Sequence, residues 1–528
     1  MQKFKIPRSH TGYFTEQQLM LATDQEKVLP FIQQTFSREH FANQIELKEK
    51  TFGLQQRAVL KMYWEELYSG KKQSFSVQSN IDRIGQSNCY TITTGHQLNV
   101  FTGPVFMIYK ILHVVRLCEE LSKEYPDELF VPIFWMATED HDYQEISSVE
   151  LFGRDLKWET TQTGAVGRFE TVGIEELKEE IRTSFSRVDT TQIDAFLSSY
   201  SGSTLTEATF SMIHELFSAY GLLCIDGDHP SLKKQFIPIL EKELKEEFSY
   251  KAVLKINESL IHEGWKTQAT PREVNLFYLT HNSRERILKI EDGFYIEGVG
   301  QRTLNEMLEE VNAHPERFSP NVILRPVYQE VLLPNVCYVG GAGEISYWLQ
   351  LKGVFDQASI PYPMIQVRTS LLLIDSSTSK KMNKYGVALE QMFQDVHRLK
   401  EQYLASEASD DVNFSQIDEH LEHLRTSITA HVLACDEGLS GYAEAEGVRL
   451  EKAIQNIKDK ITKTVKQRHD TALRAIEQIH ERVLPKNSMQ ERTVSMFSLS
   501  PDGDLDGFIE RIYWSIDPFD PDFVVLRS

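Results

Sequence analysis

The sequence predicts an α/β fold: a parallel-sheet core interrupted by inserted connecting segments, followed by a C-terminal α-helical coiled coil. Three observations carry this reading. A β-prone run, Cys89–Thr93, passes through a polar, glycine-bearing loop into a long apolar helix. That helix is followed by a second run, Leu129–Met136, apolar almost throughout; the β–loop–α–β order is the unit of a doubly wound sheet. From Leu389 to Val483 the apolar residues instead recur at intervals of three and four, the spacing of long helices packed along a seam.

Taken in order, residues 14–70 read as helices. Leu54, Val59, Leu60, Tyr63 and Leu67 fall at helical spacing, and Gly70 stops the pattern. The loop after Cys89–Thr93 is TGHQLNVFTG, and Pro104 opens the helix PVFMIYKILHVVRLCEELSKEY. Proline suits a first helical turn, where its missing N–H is not needed. Leu129–Met136 lacks alternation, as expected of a strand covered on both faces. Leu222–Asp226, Val322–Leu324 and Met364–Val367 complete the predicted strands of a Rossmann-like core. Two excursions, at about 151–215 and 250–318, contain hairpin-like pieces (GRFETV and ILKIEDGFYIEGVG) and read as insertions into that core. The helical stripes are Leu389, Met392, Val396, Leu399 and Tyr403; Ile417, Leu421, Leu424 and Ile428; Leu450, Ile454, Ile457 and Ile461; and Ile476, Ile479 and Val483, with Pro485 as the stop. The expected organisation is therefore a core over 1–388, a helical coiled-coil domain over 389–485, and a tail over 486–528 that returns to the core with FVVLR as a strand.

Composition narrows the function classes. A chain of 528 residues, 41% apolar and 25% charged, can bury its cores without disulfides or structural metal. A net charge of −21 repels a polyphosphate strand. With no arginine-rich arm and no lysine run interleaved with aromatics, nucleic-acid binding is not expected. The five cysteines are dispersed and show no CxxC spacing, which argues for a reducing compartment and against a zinc ribbon. The N-terminal MQKFKIPRSHTGYF lacks the apolar core of a signal peptide, and no apolar run approaches the ~20 residues of a membrane helix. A cytoplasmic location, no membrane partner and no metal are expected.

Chemistry-bearing residues gather at predicted strand ends, the edge at which open α/β sheets bind ligands. The first group is Thr94, Gly95, His96, Gln97 and Asn99, continuing to Thr102 and Gly103 before the helix. Glycines permit close backbone approach, and a helix N-terminus favours phosphate or carboxylate. The second is Thr138, Glu139, Asp140, His141 and Asp142, whose carboxylates can hold a substrate ammonium and whose imidazole titrates near neutral pH. A metal set and a solvated acidic loop are the rival readings of that group. The third is Arg325, Gln329, Gly340, Gly341 and Glu344, with Arg368 after the run MIQV; arginines there suit carboxylate or phosphate. His96, Asp140 and His141 are the candidates for proton transfer, and the others for substrate contacts. Cys337, beside the glycine pair, has no base visible in sequence and reads as a small buried hydrophobe. Lys381, Lys384 and Tyr385, with the nine Lys+Arg against five Asp+Glu between Arg449 and Arg482, suggest a nucleotide site for ATP or ADP near the junction of core and coiled coil; the rival and favoured reading is that these lysines only solvate the helices or pair with the acidic core.

At these motifs the chain resembles the bacillithiol biosynthesis cysteine-adding family. TTGHQLNVFTGPVFMIYK, PIFWMATEDHDYQEI and LRPVYQEVLLPNVCYVGGAGEISYWLQLKGVF are similar to its signature segments in order and interval. With the helical C-terminal region, the likeness covers nearly the whole chain. The resemblance implies a Rossmann-like core with connecting insertions, a coiled coil linked to homodimerisation, and a ligase that adds cysteine to the amine of glucosaminyl malate. The first loop is similar in place to the HIGH-type loop of class I synthetases and of the related mycothiol ligase, which activate cysteine with ATP. Residues 376–386, SSTSKKMNKYG, loosely resemble their KMSKS loop. The residues themselves leave two other classes open: a coiled-coil scaffold with a ligand-sensing α/β core, and a metal-dependent hydrolase built on Glu139–Asp142.

Overall fold

The computed structural model describes residues 1–407 and 413–528. Five parallel strands make the core sheet: β1 (Cys89–His96), β2 (Leu129–Met136), β3 (Leu223–Asp226), β4 (Asn335–Gly340) and β5 (Met364–Val367). Their order is β5-β4-β1-β2-β3. The chain winds outward from β1 through β2 to β3, then crosses back to lay β4 on the other side of β1. The point of reversal lies between β1 and β4, and ligands of such sheets bind outside the carboxyl ends of the strands there. β2 is buried from Phe130 to Met136, in keeping with its unbroken apolar sequence. Among the helices that lend charged side chains to the sheet and its carboxyl edge are α1 (Phe41–Thr51), α2 (Phe106–Glu124), α3 (Arg325–Leu332) and α4 (Ala342–Trp348).

By internal packing the chain forms two compact units. One comprises Lys3–Leu371 with Glu491–Val525; the other comprises Met1–Gln2, Leu372–Gln490 and Leu526–Ser528. In the first, the excursion between β3 and β4 carries an antiparallel sheet in which Leu276–Leu279 lies between Phe318–Pro320 and Arg284–Ile290, continued by Gly293–Ile296 and Gly300–Arg302. The expected hairpin in ILKIEDGFYIEGVG is thus present. GRFETV, by contrast, is not a hairpin. Gly167 donates its N–H to Thr138 O at 2.9 Å, within a short 3-10 turn, and Glu170 forms only an isolated bridge with Thr204. The hairpin of that excursion is Ser148–Leu151 with Arg154–Lys157, turned by Phe152 and Gly153 at φ 50° and 85°, the two positive values that a twisted two-residue hairpin loop requires.

Two further expectations are corrected. Val322–Leu324 is a turn, not a strand: Asn321 Oδ1 accepts the N–H groups of Ile323 and Leu324, and the chain enters α3 directly with Pro326 in its first turn. Arg325 therefore starts a helix. The helical pattern placed from Leu389 begins only at Val396, because Asp395 Oδ1 accepts the His397 N–H at 2.8 Å and 389–394 are turns and a bend. The rest of the stripe occupies α5 (Ser415–Cys435), α6 (Ser440–Arg468) and α7 (Asp470–Val483). Ile476, Ile479 and Val483 are buried, whereas α5 buries no residue and leaves Ile417, Leu424 and Ile428 exposed. The expected helical span 389–485 includes 408–412, which lie outside the described residues. Among those described, no helix is long and apolar enough to cross a membrane.

A buried polar chain locks β1 to β4. Thr93 Oγ1 donates to Asn335 Oδ1 (2.8 Å), Asn335 Nδ2 donates to Glu330 Oε1 (2.7 Å), and Lys48 Nζ of α1 donates to Glu330 Oε2 (2.6 Å). Lys48 and Glu330 are both almost fully shielded from solvent. Removing one partner strands the other charge in the interior. Lys48→Ala is expected to destabilise the protein by about 3–5 kcal/mol, measured as a lower urea midpoint; a midpoint equal to that of the parent would contradict this assignment.

Candidate functional site

A cavity of about 600 Å³ opens at the carboxyl ends of β1, β2 and β4. β1 supplies Gly95 and His96, with Gln97 following; the end of β2 supplies Trp135, Ala137 and Asp140; and Tyr338 comes from β4. Glu344 and Tyr347 of α4, Arg325 of α3, Lys110 of α2 and Glu145 also line it. Gly95 lies where neighbouring strands approach closely: a Cβ there would lie 3.3 Å from the Tyr338 hydroxyl and 3.4 Å from Trp135 Cβ, so one of them would have to give way.

Hydrogen bonds join the loops across the cavity. Gln97 Nε2 donates to Asp140 Oδ2 (2.8 Å) and to Glu145 Oε2 (2.6 Å). Asp140 Oδ1 accepts the backbone N–H of His141 at 2.7 Å. On the other wall, Lys110 Nζ donates to Gly95 O and to Glu344 Oε2, both at 2.7 Å, while the Tyr338 hydroxyl donates to the second oxygen of Glu344. Burial alone would raise the Glu344 carboxyl, but Lys110, Tyr338 and Arg325 hold it below its usual range. Burial pushes Lys110 down, against Glu344. Arg325 stands over the rings of Trp135 and Tyr338 at 5.9 and 5.5 Å. Its Nη1 donates to Gln329 Oε1 at 3.2 Å, and its Nη2 is shielded and has no hydrogen-bond partner. Burial opposes the Arg325 charge, yet Tyr338, Tyr347 and Glu344 keep it firmly protonated.

His96 donates Nδ1–H to Gln97 O (3.0 Å), which leaves Nε2 as an acceptor. Burial and then the Lys110 charge bring its pKa down to about 4, so the ring is neutral at physiological pH. His141 stands outside this lining: Arg284 Nη1 donates to its Nδ1 at 3.0 Å, and burial and that guanidinium lower its pKa.

The structure thus gathers Gly95, His96, Gln97, Asp140, Arg325 and Glu344 around one cavity and puts the other expected residues elsewhere. Thr94 Oγ1 donates to Val339 O between strands. Asn99 Nδ2 reaches Glu145 O, and Thr102 and Gly103 form a buried left-handed turn behind it. Glu139 is paired with the buried Lys233, and Asp142 caps the short helix Tyr143–Ile146. The three acidic side chains of that loop therefore point to three different partners. Gly340 packs under Ile345 and Glu344, and Gly341 precedes α4. Arg368 is held bidentate by buried Glu491 at 2.9 and 2.7 Å. Lys381 bonds Gln478, and Lys384 lies 5.0 Å over the ring of Tyr385, in the helical unit. Cys337 is buried, and burial drives its thiol pKa upward. Among the described residues, no group of three or more His, Cys, Asp or Glu side chains is arranged to hold a metal ion. Sequence reasoning missed Lys110, Glu145, Tyr338 and Tyr347. The only available signal was helical spacing, since Lys110 lies on the face of α2 nearest the strand ends.

Residues 5–369 match the family described as "Bacillithiol biosynthesis BshC, N-terminal Rossmann-like domain", and residues 371–528 match "Bacillithiol biosynthesis BshC, C-terminal coiled-coil domain". The chain is 38% identical over 464 residues to a cysteine ligase BshC of Cytophaga hutchinsonii, covering 88% of this chain and 87% of the relative. It is 33% identical over 531 residues to that of Christiangramia forsetii, covering 99% and 98%. The corresponding protein of Flavobacterium johnsoniae is 36% identical over 492 residues, covering 91% and 92%.

The neutral histidines give the protein a pH-dependent stability. His96 and the buried His113, whose Nδ1 accepts the Thr369 N–H, have pKa values brought down to about 4 and about 3, chiefly by burial. Below the ordinary value of 6.5 the unfolded chain takes up protons that the folded chain refuses. The histidine contribution to stability is therefore full above pH 6.5 and is lost as pH drops toward 4. Thermal unfolding between pH 7.5 and 4.5 should show this slope, and His96→Gln should flatten it; an unchanged slope in that variant would rule out His96 as a source.

Proposed function

Since the chain belongs to the BshC family of bacillithiol biosynthesis and is a cysteine ligase, we propose that it joins the carboxyl carbon of cysteine to the amine of glucosaminyl malate in the cavity at the strand ends. The observation that carries this reading is the bridge from Gln97 to Asp140 and Glu145, which sets two carboxylates from the β2 end against the loop that follows β1. Both substrates bring ammonium groups at neutral pH, and fixed carboxylates suit them. In the reaction the acceptor's ammonium first loses one proton to solvent; the free amine nitrogen then bonds to the carboxyl carbon, the bond from that carbon to its activated oxygen breaks so that the oxygen leaves with its activating group, and the nitrogen gives up a second proton. Asp140 takes that proton, and Glu145 holds the ammonium partner. His96, kept neutral, offers Nε2 as a hydrogen-bond acceptor. Holding amine and carboxyl together in a small site supplies much of the rate, as in other bond-forming enzymes. ATP is the expected source of carboxyl activation.

Product formation from cysteine and glucosaminyl malate, followed by mass spectrometry with and without ATP, tests the reading. Asp140→Asn is expected to lower kcat/KM by about 100-fold or more, the scale of a lost general base. Full activity in that variant would remove Asp140 from the chemistry, and product made without ATP would point to another energy source.

We further propose that the exposed apolar residues of α5 and α6, among them Leu424, Ile428 and Val448, are covered by a second copy of the chain. The long heptad-like stripe supports this, since such seams are buried when helices pair. Light scattering should give the mass of two chains, and Leu424→Glu with Ile428→Glu should give one. A monomeric parent at micromolar concentration would refute the pairing.

A further inference from the structure

A second cavity, of about 340 Å³, adjoins the first and shares Trp135, Ala137, Asp140 and Arg325 with it. Its walls carry four guanidinium groups: Arg272, Arg284, Arg286 and Arg325. The two carboxylates on the same walls are already engaged, Glu139 by Lys233 and Asp140 by Gln97 and the His141 N–H. Among the described residues none of the four arginines is in an ion pair, which is unusual company in a chain of net charge −21.

These arginines are presented, not merely exposed. Arg284 is fixed by three neutral partners: Nε donates to Ser319 Oγ (3.2 Å), Nη2 to Pro320 O (3.1 Å) and Nη1 to His141 Nδ1 (3.0 Å). Its guanidinium lies 4.0 Å from the centre of the Phe277 ring, and that of Arg286 lies 5.6 Å from the same ring. Burial weakens the Arg284 charge, which Glu139 and Asp140 offset only at a distance. Arg325 adds its shielded, unpartnered Nη2. Planar guanidinium groups on an apolar ring match carboxylates, which they bind in bidentate fashion.

We infer that this cavity holds the two carboxylates of the acceptor's malyl group, so that Arg272, Arg284, Arg286 and Arg325 select the acceptor while its amine reaches past Asp140 into the first cavity. The inference rests on the proposed acceptor, and it gives His141 a role: its Nδ1 holds Arg284 in place.

The test is a double variant, Arg272→Ala with Arg286→Ala, both exposed positions whose loss should leave the fold intact. KM for glucosaminyl malate should rise at least tenfold, KM for cysteine should stay as in the parent, and the preference for glucosaminyl malate over methyl glucosaminide should collapse. An unchanged KM for glucosaminyl malate, or an equal rise with methyl glucosaminide, would overturn the inference. Calorimetry with L-malate, and separately with inorganic phosphate, reads the site without turnover. Malate binding that the double variant loses supports the inference even if the parent makes no product from glucosaminyl malate, in which case only the proposed reaction fails. Arginine-dependent binding of phosphate without malate would overturn the malyl assignment in favour of a phosphate-bearing ligand.

Discussion

Lys110 projects from α2 with its ammonium bonded both to the carbonyl of Gly95, near the end of β1, and to Glu344 at the start of α4. One charge thereby closes the gap between the two strands from which the chain winds away in opposite directions. The arrangement does not owe its presence to stability, since a buried ion pair often stabilises no more than an apolar pair of similar volume. What it fixes is orientation. Glu344, anchored on one oxygen, turns the other to Tyr338, and Tyr338 in turn provides a face for Arg325. Without the ammonium, only Tyr338 and Arg325 would oppose the effect of burial on the carboxyl, and the set would lose part of its charge pattern.

The cavities divide that pattern. The first offers carboxylates with one arginine at its edge, and the second offers arginines whose neighbouring acids are already matched. The proposed anionic acceptor, approaching a protein of net charge −21, meets an unfavourable long-range field. Local guanidinium groups on low-dielectric walls act within a Debye length, where they outweigh distant charge. Salt should therefore screen the repulsion more than the binding contacts.

Much of this is legible in the sequence. Leu129–Met136 reads as a doubly covered strand and is one, and the polar loop after Cys89–Thr93 falls at the sheet's reversal point. The failures have physical causes. Ile323 and Leu324 are apolar because they pack inward from a turn, while Val322 is exposed, and Asn321 decides the backbone. Arg368 looks free at a strand end, but its partner Glu491 is far along the chain, a pairing no local pattern displays. Lys110 and Tyr338 are hidden by apolar neighbours, as a polar residue in an apolar helix or strand reads as an interruption. Arg272, Arg284 and Arg286 sit in an insertion whose fold over the core depends on long-range pairing. Motif position locates the cavity, whereas the partners of its side chains require the tertiary structure.

The arginine-bearing sheet is an excursion between β3 and β4, while the groups around Asp140 and Glu344 hang from the strand ends themselves. Two stretches of gene thus encode two separable properties. On the proposed reading, drift in the excursion can retune which acceptor is admitted without touching the strand-end groups around Asp140 and Glu344, and a lineage that changed its sugar conjugate would carry its substitutions around Arg272–Arg286 and keep Gly95–Gln97 and Tyr338–Tyr347 intact. Descent with a new acceptor would then leave its record chiefly in the inserted segment, with Arg325 of α3 as the one arginine of that wall supplied from outside it.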